Sequence, residues 1–63
     1  MDKNIEKLEK NQSVTLMIDD EKYEGRFLRL DGDYVYLTDT HYKNRFASLA
    51  VIGKEEISRI KIL

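Results

Sequence analysis

Apolar and polar residues alternate along most of this chain, and the period of the alternation predicts its elements. Val14, Leu16 and Ile18 alternate with Thr15, Met17 and Asp19, as in a strand that buries one face. Asp19, Asp20 and Glu21 read as a polar turn, after which Tyr23, Gly25 and Phe27 return with the same period of two. The period then breaks, because Leu28 and Leu30 fall on the opposite parity. A change of parity beside a glycine marks a bent, bulged strand, the device by which small barrels curl. Residues 14–31 are therefore predicted to form a curved hairpin around which the rest of the chain is organised.

The remaining segments follow from the same pattern. Asp31-Gly32-Asp33 is a tight-turn signal. Residues 34–38, YVYLT, predict a strand with Val35 and Leu37 on one face and Tyr34 and Tyr36 on the other. Residues 39–44, DTHYKN, are polar and predict a loop. Residues 45–52, RFASLAVI, are apolar enough for a strand that is buried or lies at a subunit contact. Gly53 to Glu56 predicts a turn of 3₁₀ type, and residues 57–63, ISRIKIL, a last strand. At the other end, residues 2–10, DKNIEKLEK, predict a short α-helix, with Asp2 near its N-terminus, Lys10 near its C-terminus and Asn11 as the stop. So short a helix is not stable alone, so Ile5 and Leu8, three apart on one face, are expected to dock it on the sheet. The fold class expected is mainly β: a short N-terminal α-helix (about 2–10), then a five-stranded, strongly bent, partly open SH3-like or Sm-like barrel (about 13–63), all in one domain, 1–63.

Composition narrows the function. Sixty-three residues make a single small domain, and a chain this short buries only about 60% of its unfolded surface. There is no cysteine to staple it, which makes self-association the expected source of extra stability. The last two strands carry few charges apart from Arg59 and Lys61, so their edges are expected to pair with a neighbouring copy. No apolar run approaches the ~20 residues of a membrane span, and the first ten residues lack the apolar core of a signal peptide. A cytoplasmic setting is the expectation. The formal net charge of −1 means that any basic footprint must be local.

The pattern V-x-L-x-I, Y-x-G-x-F and L-D, carried by Val14, Leu16, Ile18, Tyr23, Gly25, Phe27, Leu30 and Asp31, resembles the first motif of the Sm-like family, which includes the Sm, LSm and bacterial Hfq proteins. The segment VIGKEEISRIKI at 51–62 is similar to the second motif, nearer its Hfq form, and the N-terminal helix also fits. The resemblance covers about the whole chain. It implies a homo-oligomeric ring of about five to seven copies that binds single-stranded RNA near its pore or face, without catalysis. In the family, bases meet the loop after the second strand and residues near the second motif; here those are Asp31, Gly32 and Asp33, and Gly53, Lys54 and Glu55. The family's stacking position falls on Asp33 with Tyr34 beside it, the Sm asparagine is absent, and of the Hfq tyrosine-lysine-histidine run only the lysine matches, at Lys54.

The residues themselves favour binding over catalysis. With one histidine and no cysteine, a converging nucleophile, base and orienter is not expected, and His41 reads as a solvated loop residue. Asp19, Asp20 and Glu21 offer carboxylates for a hard cation, but three acids on a turn read first as solvated surface, so no cofactor or metal is expected. Single-stranded RNA needs flat rings for its bases and cations for its phosphates. Only around Tyr34, Tyr36, His41, Tyr42, Lys43 and Arg45 do aromatic and basic residues interleave, and Arg26 and Arg29 add charge nearby. The expected RNA contacts are stacking by Tyr34 or Tyr36 and phosphate contacts by Lys43, Arg45 and Lys54. The alternative is a small SH3-like barrel that works through protein–protein contacts or assembly, without nucleic acid. The acidic turns at Asp31–Asp33 and at Glu55 and Glu56 favour that alternative, because carboxylates repel phosphates.

Overall fold

In the computed structural model, which describes residues 5–63, the alternating segments become five strands: β1 (Ser13–Ile18), β2 (Glu21–Asp31), β3 (Tyr34–Tyr42), β4 (Arg45–Gly53) and β5 (Arg59–Ile62). They form one antiparallel sheet in the order β4-β3-β2-β1-β5. The sheet is not closed, and β4 and β5, which carry exposed apolar side chains, are its two margins. Tight turns fix the register. Asp19 and Asp20 both hold positive φ (50° and 66°), the pattern of a type I′ hairpin turn, and a short polar side chain tolerates that region better than a branched one. Gly32, at φ 61°, opens the turn between β2 and β3. Lys54 to Glu56 form the 3₁₀ turn expected after β4.

Two expectations need correction. Among the described residues there is no α-helix; residues 2–4 lie outside them, and from Ile5 the chain makes only a 3₁₀ turn, Ile5–Lys7. Docking through Ile5 and Leu8 nevertheless holds, since both are buried in the core. A spacing of three suits one 3₁₀ turn as well as a helix face. The chain then leaves the turn because its backbone finds better partners on β2. Asn11 takes φ 72° and donates to the Phe27 carbonyl (2.7 Å), and the Phe27 amide donates to the Gln12 carbonyl (2.8 Å). The second correction concerns residues 39–44. Instead of a loop, β3 continues to Tyr42 and only Lys43 and Asn44 turn the chain. The polar letters there mark a bulge and the outward positions of a strand, not its end.

The core is a single cluster: Ile5, Leu8, Val14, Leu16, Phe27, Val35, Leu37, Ile52 and Ile57. Val14 and Leu16 come from β1, and Ile52 from β4, with β2 and β3 lying between the two. A flat sheet would hold them on one open face, so the sheet wraps round to bring them together. Two irregularities permit the wrap. Between Phe27 and Arg29, β2 carries one extra residue, Leu28, against consecutive partners on β3, which is the parity break read from the sequence. Between Glu24 and Arg26 the extra residue is on β3: His41 and Thr38 are the partners, so Asp39 and Thr40 stand opposite Gly25 alone. Asp39 absorbs the kink at φ 50°, and Thr40 turns inward to become 95% buried, a fraction set by its 5% exposure.

Gly25 is required by the closeness of β3. A Cβ there would stand 3.0 Å from Thr40 Oγ1 and 3.2 Å from the Thr38 carbonyl oxygen. The second neighbour is backbone and cannot swing away. Thr40 Oγ1 itself is buried and finds no hydrogen-bond partner among the described residues. Gly25→Ala is therefore expected to destabilise the fold by about 1–3 kcal/mol, the usual cost of overpacking. Thr40→Val is expected to be neutral or stabilising, because it replaces an unpaired hydroxyl by a methyl group. Urea unfolding at one fixed protein concentration measures both.

Candidate functional site

The residues expected to bind RNA do not form one patch. Tyr34 and Tyr42 stand at opposite ends of β3, eight residues apart, which is about 26 Å of extended strand. Three separate places result.

At one end, the β2–β3 turn meets the 3₁₀ turn after β4. The Lys54 amide donates to the Asp33 carbonyl (2.7 Å) and ties the two turns together. Tyr34 lies directly opposite Gly53 and is 55% exposed. With no side chain on Gly53, the space beside the ring stays open. The result is a concave pocket of about 220 Å³ lined by Asp33, Tyr34, Gly53, Lys54, Glu55 and Glu56. This is the one place where an expected stacking residue, Tyr34, and an expected phosphate contact, Lys54, come together.

On the outer face of the sheet, Tyr36 is paired with Arg29 of β2 and Val51 of β4. The Arg29 guanidinium lies 4.6 Å from the centre of the Tyr36 ring and 3.8 Å from an Asp31 carboxylate oxygen. One face of this ring is thus already covered by a cation, which makes Tyr36 a poorer platform for a base than Tyr34.

At the far end, Lys43 sits in the β3–β4 turn and Arg45 begins β4. Lys43 Nζ is 3.7 Å from Glu21 Oε1 and 5.3 Å from the centre of the Tyr42 ring. Tyr42 stacks on Tyr23 with centroids 4.3 Å apart, and its hydroxyl donates to Glu21 Oε1 (2.7 Å). Much of the Lys43 charge is therefore answered within the chain. Arg45 borders a groove of about 460 Å³ whose walls include Tyr23, Tyr42, Phe46, Ala50 and Ile52. His41 is exposed on β3, not in a loop, with its ring 4.9 Å from that of Phe46. Sequence reasoning missed the Glu21–Tyr42 clasp and the pocket position of Glu56. The clasp joins residues 21 apart, and only the hairpin registers bring them within reach.

Among the described residues, no group of three His, Asp or Glu side chains is arranged to hold a metal ion, and no helix is long and apolar enough to cross a membrane. Comparison with protein-family models gave no match, and comparison with curated proteins gave none either.

The clasp has a defined pH window. The Tyr42 hydroxyl, and after it Lys43, hold the Glu21 carboxyl below its ordinary value of 4.5. The same hydrogen bond raises Tyr42 above its ordinary 10.0. The clasp needs an ionised Glu21, so it is intact above pH 4.5 and is lost as pH falls through the lowered carboxyl value. It also needs a neutral phenol, so it is intact below pH 10.0 and is lost as pH rises through the raised value. Lys43 is raised as well, first by Tyr42 and then by Glu21. In an ultraviolet titration of phenolate absorbance, Glu21→Gln is expected to move the Tyr42 transition to lower pH, and Tyr42→Phe to delete it. A titration curve unchanged by Glu21→Gln would mean that the clasp does not persist in solution.

Proposed function

We propose that this chain is a non-catalytic, cytoplasmic, Sm-like protein that assembles head to tail into a homo-oligomeric ring of about five to seven copies and binds single-stranded RNA on that ring. One observation carries the assembly: the two apolar-rich strands are the two different margins of a single open sheet. β4 exposes Phe46, Leu49 and Val51, and the β5 margin exposes Ile62 and Leu63. An unpaired strand edge is a template for another strand, and apolar side chains beside it add burial once it is paired. Pairing β4 of one copy with β5 of the next joins unlike surfaces, which repeats in one sense and closes when the rotation permits.

RNA binding is supported by the pocket at Tyr34 and Lys54, an exposed aromatic face beside a cation. A ring repeats that pair in every copy, so a local track arises despite a net charge of −1 per chain. The sequence resemblance points to the same two turns. A second role, an assembly module without nucleic acid, is favoured by a specific feature of the same pocket: Asp33, Glu55 and Glu56 line it too, and their carboxylates oppose phosphate.

Two measurements on one preparation separate these roles. Light scattering after size exclusion is expected to give a mass that is a small multiple of 7.5 kDa. Fluorescence anisotropy with short labelled RNA is expected to show binding that weakens with added salt and falls about tenfold or more in Tyr34→Ala. A multimer that binds no RNA at low salt would leave the assembly module. A 7.5 kDa monomer at high concentration would contradict the ring.

A further inference from the structure

The Tyr34 pocket also carries information about which base it would hold. Cross-strand partners direct their side chains to the same face of a sheet. Tyr34 and Gly53 are such partners, so the Tyr34 ring stands on the side where a Gly53 side chain would be. That position is bordered by Glu56: a Cβ on Gly53 would lie 3.5 Å from Glu56 Oε2. An open aromatic ring therefore has a carboxylate beside it, with the bare Gly53 backbone between. Asp33 and Glu55 also line the pocket, and among the described residues Lys54 is its one basic lining residue.

An ionised carboxylate only accepts hydrogen bonds. Bases recognised in single strands present their Watson–Crick edges, and these edges differ in what they offer. Uracil presents one N–H between two carbonyl oxygens, so a carboxylate gains one bond and faces acceptors with its second oxygen. Cytosine and adenine each present one amino group next to a ring-nitrogen acceptor. Guanine alone presents two adjacent donors, N1–H and the N2 amino group, which match the two oxygens of a carboxylate.

We propose that the pocket selects guanine in single-stranded RNA, with the base stacked on Tyr34 and its N1–H and N2–H donating to the Glu56 carboxylate. The inference rests on the RNA-binding role proposed above and names the base it takes. It also gives the acidic lining a use. Carboxylates that weaken the pull on phosphate supply acceptors for the base edge, so affinity is exchanged for choice of base. Lys54, at the same pocket, is placed to meet the backbone of the bound strand.

The test compares an all-uridine octamer with the same octamer carrying one central guanosine, or one inosine, which keeps N1–H but lacks the amino group. Each is titrated by anisotropy against the assembled protein. The guanosine strand is expected to bind about tenfold tighter than the all-uridine strand, the range of a good bidentate base contact, and the inosine strand to lose most of that gain. Glu56→Gln, an exposed substitution that leaves the core untouched, is expected to weaken the guanosine strand and strengthen the all-uridine strand. Tyr34→Ala is expected to weaken both. Equal affinity for the uridine and guanosine strands, with both still dependent on Tyr34, would overturn the choice of base and leave the RNA-binding role standing. Guanosine monophosphate binding as tightly as the guanosine strand would overturn the strand as the ligand. Absence of binding to every strand would remove the RNA-binding role and this inference with it.

Discussion

The close approach of two backbones at Gly25 is the constraint on which the rest of this molecule depends. There β3 passes so near β2 that a single methyl group would meet both a threonine hydroxyl and a fixed carbonyl oxygen. The close approach exists because β3 inserts an extra residue opposite the glycine, and that insertion turns Thr40 inward and lets Tyr42 reach Tyr23. Together with the bulge at Leu28, it curls the sheet far enough for β1, β4 and the Ile5–Leu8 segment to share one core. In a chain with no disulfide and no described α-helix, this curl is the main means of burying apolar surface.

A curled but unclosed sheet has two margins, and here they differ in length and character. β4 has nine residues and β5 has four, so each offers the other a partner unlike itself. The core hardly uses β4: of its residues only Ile52 is buried, while Phe46, Leu49 and Val51 are exposed. That is a large apolar commitment for an edge strand, whose usual protections are charge, proline or brevity. The functional proposals follow from this surplus. Pairing the margins would use it, and it would also bring the turns that hold Tyr34 and Lys54 into a repeated arrangement.

Much of this was legible in the sequence, and for identifiable reasons. The alternation of Val14, Leu16, Val35 and Leu37 reports burial directly, and all four side chains are fully buried. The parity break at Leu28 reported the bulge that lies there. The helix over residues 2–10 misled because Ile5 and Leu8, three apart, satisfy a 3₁₀ turn equally well, and the deciding hydrogen bonds to Phe27 are long-range. The segment 39–44 misled because a bulged strand with outward polar residues has the composition of a loop. The interleaved aromatic and basic residues suggested one RNA surface; along an extended strand the same letters are spread over about 26 Å, and Lys43 is already engaged by Glu21. The Glu21–Tyr42 clasp and the position of Glu56 beside Gly53 depend on register and on a turn, which no local pattern encodes.

The central claim, that the sheet's curl leaves β4 and β5 as margins that are satisfied by other copies of the chain, is tested most directly by amide hydrogen exchange followed across protein concentration. The account predicts that amides of β4 and β5 are protected at high concentration to a degree approaching those of β2, and that dilution removes this protection at the two margins first. Rapid exchange along β4 and β5 at every concentration, with β1, β2 and β3 fully protected, would contradict it.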